Sequence, residues 1–304
     1  MKHLLKLSDL SPREITDILN LADQLKFEKY NGEMKPYLQG KTLGMIFTKA
    51  STRTRVSFEV GMYQLGGNAL FLSGADMQIG RGEPAEDTAR VLSKYLDGIM
   101  IRTYKQEEVE KLAEFGNIPV INGLTDYCHP CQVLADLMTI RERKGSFKGK
   151  KLTFIGDGNN MANSLIVGAV KMGMEIAVAC PKGFEPDSEI IKWGTQNGTV
   201  TITDDVRAAA EGADVMYTDV WASMGQEKEA EERTVAFKGF CIDSGLMKLA
   251  KKDAMVLHCL PAHRGEEITA EVLEAHADEI FAEAENRLHA QKAVMVTLMG
   301  GRKQ

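Results

Sequence analysis

Leu43-Gly44-Met45-Ile46-Phe47, followed by Thr48-Lys49-Ala50 and then by Ser51-Thr52-Arg53-Thr54-Arg55, is the stretch whose reading decides the fold. The first five residues form a short apolar run of strand type. From Val56 through Val60 to Leu65 the pattern becomes helical, so the polar pentapeptide occupies a strand-to-helix turn. Ser51 or Thr52 can cap that helix, but Arg53 and Arg55 then fall in its first turn, where cations oppose the positive end of the dipole at about 0.3–1 kcal/mol each. A bound phosphate reverses the sign, because free amides, hydroxyls and two guanidinium forks then converge on acceptor oxygens. The plain alternative is a capped surface helix with two solvated arginines.

Outward from this turn the same alternation repeats. Strand candidates in the first half are Leu43–Phe47, Asn68–Leu72, Gly98–Ile101 and Pro119–Ile121. In the second half they are Leu152–Ile155, Ile176–Ala179, Asp214–Tyr217 and Ala254–Leu257. Helical patterns separate them, and Ser11-Pro12-Arg13-Glu14 opens an early helix with a serine cap and proline at the first helical position. The expected class is α/β, with two parallel-sheet domains joined by helices. The polar, basic, glycine-containing stretch from Arg141 to Lys151 marks the boundary, giving domains 1–145 and 146–286. A final helix is expected from Arg287 to Met299. Most distinctive polar motifs follow a strand candidate, so they line the carboxyl rim of each sheet, and the active site is expected in the cleft between the two rims.

Length and composition agree with this. A chain of 304 residues is ample for two cores, and 44% apolar with 26% charged residues is ordinary for a soluble globular protein. A net charge of −6 argues against a broad nucleic-acid surface, so phosphate affinity must be local. Lys6 and Asp9 interrupt the N-terminus before a signal-length apolar region forms, and no run approaches the roughly 20 apolar residues of a membrane span. Five cysteines suggest no disulfide framework and fit a reducing compartment, so a cytoplasmic location is expected.

Several motifs admit more than one reading. Gly156-Asp157-Gly158-Asn159-Asn160 follows a strand candidate but lacks the third glycine of a dinucleotide fingerprint, Met161 standing in its place; a tight turn is the simpler reading. Cys128-His129-Pro130-Cys131 has the form of a thioredoxin redox motif in a chain far too long for one. Zinc held by Cys128, Cys131, His258 and Cys259 suits the ligand types but not standard spacings. His129 is a donor for a carbonyl oxygen or a structural histidine capping the next helix. Arg102 ends a strand, where an arginine is usually a surface charge. Residues from Asp76 to Pro84 form a long polar loop, functional or merely exposed.

Taken together, Ser51 to Arg55, His129-Pro130-Cys131-Gln132, Asp219 with Ser223-Met224-Gly225, His258-Cys259-Leu260-Pro261 and the run Ala284 to Lys292 occur in an order that resembles the aspartate/ornithine carbamoyltransferase family, in its ornithine branch. The resemblance implies transfer of a carbamoyl group from carbamoyl phosphate to the δ-amino group of ornithine, giving citrulline and phosphate in arginine metabolism, without a metal or organic cofactor. It makes 1–145 the carbamoyl-phosphate domain, with the helix from 287 to 304 packing back on it, and 146–286 the ornithine domain. It assigns Ser51, Thr52, Arg53, Thr54, Gln78, Arg102, His129, Pro130, Cys131, Gln132 and Arg287 to the donor, Gln78 reaching a neighbouring subunit's site. Asn160, Asp219, Ser223, Met224, Cys259 and Leu260 go to the acceptor, and Arg53, Arg102, His129, Gln132, Asp219 and Cys259 carry the chemistry. Lys49-Ala50 lies outside the phosphate contacts on this reading. A homotrimer or an assembly of trimers is implied, with no nucleic-acid or membrane partner. The rivals are a sibling enzyme using aspartate, putrescine or N-acylated ornithine, and a silent phosphate-binding protein.

Overall fold

The computed structural model describes residues 1–77, 82–222 and 230–301. They form two compact units, Met1–Met138 with Asn286–Gln304, and Thr139–Glu285. In the first, α1 (Pro12–Tyr30) is followed by β1 (Thr42–Phe47), α2 (Thr52–Gln64), β2 (Asn68–Ser73), α3 (Ala85–Tyr95), β3 (Gly98–Arg102), α4 (Gln106–Phe115) and β4 (Val120–Leu124). The helix α5 (Pro130–Lys144) carries the chain past the division at Thr139. The second unit contains β5 (Lys151–Ile155), α6 (Asn160–Lys171), β6 (Glu175–Ala179), α7 (Ser188–Asn197), β7 (Val200–Thr203), α8 (Val206–Ala210), β8 (Val215–Thr218), α9 (Ala230–Ala236), α10 (Ser244–Met247), β9 (Met255–His258) and α11 (Ala270–Ala275). The last helix, α12 (Ala277–Met299), begins in the second unit and ends in the first.

Local chemistry accounts for these starts and stops. Ser11 and Glu14 form a reciprocal capping box ahead of α1, with Pro12 in the first turn. Ser51, not Thr52, caps α2 by accepting the Thr54 amide. All eight expected strands are present. The sequence reading omits β7, a four-residue edge strand whose two threonines and intermediate burial give no apolar run. It also starts the last helix ten residues late. Glu283 and Asn286 turn inward and are fully buried, so polar residues interrupt the apolar period there.

Both sheets are wholly parallel, ordered β2-β1-β3-β4 and β7-β6-β5-β8-β9. Their inner strands are buried on both faces, as helix-covered parallel sheets require. The direction of winding reverses between β1 and β3 in the first sheet and between β5 and β8 in the second. In open α/β sheets such reversals leave a crevice at the strands' carboxyl ends. The first crevice receives the turns after Phe47 and Arg102, the second those after Ile155 and Thr218.

A bulge adjusts the first crevice. Ile101 pairs with Asn122 but Arg102 pairs with Leu124, so Gly123 is the extra residue. A Cβ on Gly123 would lie 2.6 Å from Met100 Sδ, which explains the glycine. The local change in register re-aims Arg102 at the strand end.

The C-terminal half of α12 packs against α2. A Cβ on Gly61 would lie 2.8 Å from Met295 Cε and 3.3 Å from Lys292 Cγ. Lys292 is 2% exposed, and its Nζ donates to Gln64 Oε1 at 3.1 Å. Burial, then the charge of Lys29, lowers its pKa from 10.5 to about 8, with Glu28 opposing. The unfolded chain therefore holds this proton up to about pH 10.5 while the folded one releases it near 8, so the cost falls as pH rises through that window. Lys292→Met is expected to stabilise the protein at pH 7 by on the order of 2–3 kcal/mol, a gain that shrinks toward pH 10. Urea unfolding of both proteins at pH 7 and pH 10 checks this; a difference independent of pH contradicts it.

Candidate active site

At the first crevice, the N-terminus of α2 and the polar face of α12 meet through Arg287, which is 6% exposed. One terminal nitrogen of its guanidinium donates to Gln132 Oε1 and lies 3.4 Å from His129 Nε2. The other reaches Thr54 Oγ1 at 3.4 Å. Thr54 Oγ1 in turn lies 3.1 Å from Ser51 Oγ, so the helix cap and the α12 arginine belong to one network. Gln132 Nε2 donates to Asp136 Oδ1 at 2.8 Å, which fixes the amide with its oxygen toward Arg287. With its amide oxygen facing Arg287, Gln291 accepts two further guanidinium bonds at 3.0 and 3.2 Å.

His129 lies among these groups with 5% exposure. Burial first, then the charges of Arg287, Arg102, Lys49 and Arg53, holds its pKa well below 6.5. It is therefore a neutral imidazole at physiological pH. Nε2 faces the Arg287 guanidinium at 3.4 Å, whereas Nδ1 is shut off from solvent. A neutral donor of this kind polarises a carbonyl oxygen without giving up a proton.

The pentapeptide does not act as a block. Thr54 is buried, whereas Thr52, Arg53 and Arg55 are exposed. Arg55 donates from Nε to Glu59 at 2.9 Å and lies 3.8 Å from the Phe71 ring centroid. The expectation of two converging guanidinium forks is thus corrected, because Arg55 is turned along its own helix. Lys49, set outside the site from sequence, is 5% exposed, pairs with Asp126 at 3.0 Å and adds to the field on His129.

Cys131 is fully buried with Sγ 3.4 Å from the Asn122 carbonyl, and Cys128 Sγ faces Asn122 Nδ2 at 3.3 Å. Burial pushes both thiols up to about 12, so neither is a thiolate poised for redox chemistry. Any contribution of Pro130 and Cys131 to a ligand comes from the backbone at the start of α5.

In the second crevice Asp219, 7% exposed, is the centre. Its Oδ1 accepts the Cys259 thiol at 3.0 Å and the Val220 amide at 2.8 Å. Its Oδ2 accepts from Asn159 Nδ2 at 3.2 Å, while Asn159 Oδ1 caps α6. Asn160 is the first residue of that helix and 8% exposed. Gly158 is demanded by the chain itself, since a Cβ there would lie 2.2 Å from Pro186 N. The close approach that a dinucleotide-binding loop reserves for pyrophosphate is filled by Phe184–Pro186 backbone.

Behind Cys259, His258 is fixed by three bonds. Its Nδ1 accepts the Leu260 amide at 2.9 Å, so Nε2 carries the proton and donates to Glu267 Oε1 at 3.0 Å. Its own amide donates to Glu283 Oε2 at 2.8 Å. Leu260 has φ 56° and is followed by a cis peptide to Pro261. Asp219, His258 and Cys259 bring possible metal ligands within 4.8 Å, as do His263, Glu266 and Glu267. In the first group His258 Nδ1 and the thiol are already engaged.

Two crevices, one lined by arginines around a neutral imidazole and one built on a carboxylate beside a thiol, suit an anionic donor and an amine acceptor. Residues 2–142 match the family model described as aspartate/ornithine carbamoyltransferase, carbamoyl-P binding domain, and residues 148–298 match its Asp/Orn binding domain. The chain belongs to the aspartate/ornithine carbamoyltransferase family. It is 56% identical over 302 residues to an ornithine carbamoyltransferase of Pelobacter propionicus, covering 99% of each chain. To that of Anoxybacillus flavithermus it is 57% identical, covering 98% of this chain and 96% of the relative. The solved ornithine carbamoyltransferase of Pyrococcus furiosus superposes with a TM-score of 0.95 at 52% identity, covering 99% and 98%.

Within this family frame, the structure places Ser51, Thr54, His129, Gln132 and Arg287 in one network and Asp219 with Cys259 in another. Gln78, Ser223 and Met224 lie outside the described residues. Sequence reading did not single out Asn159, Gln291, Glu267 or Glu283, which bond to Asp219, to Arg287, to the His258 ring and to the His258 amide. Glu267 was approachable, because a buried histidine such as His258 needs a nearby partner, but sequence does not say which acid serves.

Proposed function

We propose that the chain transfers the carbamoyl group of carbamoyl phosphate to the δ-amino group of L-ornithine, yielding L-citrulline and phosphate. The observation that carries this is the Asp219 carboxylate held between the Cys259 thiol and Asn159, on the sheet opposite in role to the arginine network around His129. Ser51, Thr52, Arg53 and Thr54 bind the phosphate, with Gln78 supplied by a neighbouring subunit. Arg102, His129, Gln132 and Arg287 hold the carbamoyl end, assisted by the backbone at Pro130 and Cys131. Asn160 meets the acceptor's carboxylate, Asp219 its α-ammonium, and Ser223, Met224 and the Cys259 and Leu260 carbonyls complete the pocket.

The neutral amine attacks the carbamoyl carbon, forming the N–C bond. The tetrahedral oxyanion is stabilised by His129 and the guanidinium groups; the bond from the carbamoyl carbon to the bridging oxygen then breaks, and phosphate leaves with that oxygen and takes up the proton that the attacking nitrogen sheds. Cys259 donates its S–H to Asp219, which leaves the sulfur lone pairs available to the incoming amine. Microscopic reversibility lets the same groups serve either direction of arginine metabolism.

Because His129 is already neutral, its protonation sets no limb near neutrality; the substrate's ammonium does. Turnover is expected to rise about tenfold per pH unit below the amine's pKa at limiting ornithine. A flat profile contradicts the mechanism. Arg53→Ala is expected to lower citrulline formation at least about a hundredfold, whereas a phosphate-silent helix start would lose almost nothing.

Exposed apolar side chains support a homotrimer or an assembly of trimers. Val56 and Tyr63 on α2 and Leu70 and Phe71 on the edge strand β2 are 40–81% exposed, and Phe27, Tyr30 and Met34 form a second set at 53–65%. A cytoplasmic setting is supported by five free cysteines. Among the described residues no helix is long and apolar enough to cross a membrane.

A further inference from the structure

Arg233 on α9 belongs to none of the motifs read from sequence, yet it is buried at 7% exposure where two acceptor-side turns meet. One terminal nitrogen of its guanidinium donates to Asp157 Oδ2 at 2.7 Å and to the Trp221 carbonyl at 2.8 Å. Its carbon lies 5.2 Å from the Phe184 ring centroid, so the cation also has an aromatic face beside it. Asp157 follows β5 and stands two residues before Asn159; Trp221 follows β8 and stands two residues after Asp219.

We propose that Arg233 is a positioning residue for the acceptor amino acid, acting through Asp157 and Trp221 to fix the Asn159–Asp219 contact. The geometry is a staple across the switch point of the second sheet. The turn after β5 is attached by the Asp157 carboxylate, the turn after β8 by a peptide carbonyl. Between them Asn159 Nδ2 reaches Asp219 Oδ2 at 3.2 Å, and that bond sets which edge of the carboxylate Cys259 meets. Phe184 closes the other side, its carbonyl accepting the Gly158 amide at 2.8 Å and its ring packing 4.9 Å from Phe237. A buried arginine held by an acid and a carbonyl has little freedom, so the carboxylate it indirectly orients has little freedom either.

Stability alone would also explain a buried ion pair, so the test must separate the two roles. The inference rests on the reading of Asp219 as the acceptor's partner. Wild type, Arg233→Gln, Arg233→Lys and Asp157→Asn are compared by steady-state citrulline formation, with melting temperature measured alongside. The KM for ornithine is expected to rise about ten- to a hundredfold in Arg233→Gln and Asp157→Asn, with the KM for carbamoyl phosphate within about twofold of wild type. Arg233→Lys, which keeps the charge, is expected to recover part of the loss. The double variant Arg233→Gln/Asp157→Asn should be little worse than either single one, because both remove the same link. Should Arg233→Gln not fold, Asp157→Asn gives the same KM split with a side chain of the same shape. An unchanged ornithine KM in folded variants, or equal changes in both KM values, overturns the staple. Absence of ornithine turnover in the wild type instead removes the acceptor reading itself.

Discussion

Replacing Arg287 with methionine is expected to lower kcat/KM for carbamoyl phosphate by about a hundred- to a thousandfold, the usual loss when one preorganised donor to a developing oxyanion is removed. The guanidinium touches Gln132, His129 and Thr54 together. Without it Gln132 Oε1 and Thr54 Oγ1 lose a charged donor in a buried setting, which adds a stability cost of about 1–3 kcal/mol. The largest electrostatic contribution to the depressed pKa of His129 also disappears, so that pKa should move upward while burial still holds it down. The ornithine KM should stay near the wild-type value. Steady-state kinetics in each substrate, with a pH profile, check all three statements. A loss below about tenfold would take Arg287 out of the donor site.

Asp219→Asn is the counterpart on the acceptor side. The shape is kept, and Asn159 can still find an oxygen, but the negative charge is gone. Pairing with the acceptor's ammonium is lost, and so is the acceptor of the Cys259 S–H in its charged form. A drop of about a thousandfold in kcat/KM for ornithine is expected, the scale of losing a charged partner that holds the acceptor in its reactive position. Binding of carbamoyl phosphate alone, followed by calorimetry, should be nearly unchanged. A variant that weakens donor binding as much as acceptor use contradicts the assignment of Asp219.

Sequence reached both residues through resemblance, and they differ in what a local pattern adds. Asp219, like the Ser51–Thr54 turn, follows an apolar strand run. The carboxyl rims were legible for the same reason, because every expected strand exists and strand ends collect the motifs, whereas the strand order that makes the switch points was not. Arg287 came from resemblance alone, and what it touches depends on α12 returning to the first unit, which no local pattern encodes. Arg55 shows the opposite failure. Its neighbours Glu59 and Phe71 claim the side chain through an i,i+4 pair and a ring face, outcomes invisible to a reading that counted arginines. Lys49 was discounted because it precedes the pentapeptide, yet burial makes its charge felt at His129. His258 and Glu267 are nine residues apart and find each other only because the chain turns at Leu260.

An arginine-lined donor crevice on one sheet and a carboxylate–thiol acceptor crevice on the other are expected to carbamoylate ornithine. Phosphate release by the purified protein from carbamoyl phosphate, with ornithine, aspartate, putrescine and N-acetylornithine supplied in parallel and each carbamoylated product identified, decides whether ornithine is the acceptor. Turnover with ornithine, and at least about a hundredfold higher kcat/KM for it than for the other three, is the predicted result. Turnover with another acceptor in preference to ornithine, or with none of them, would contradict it.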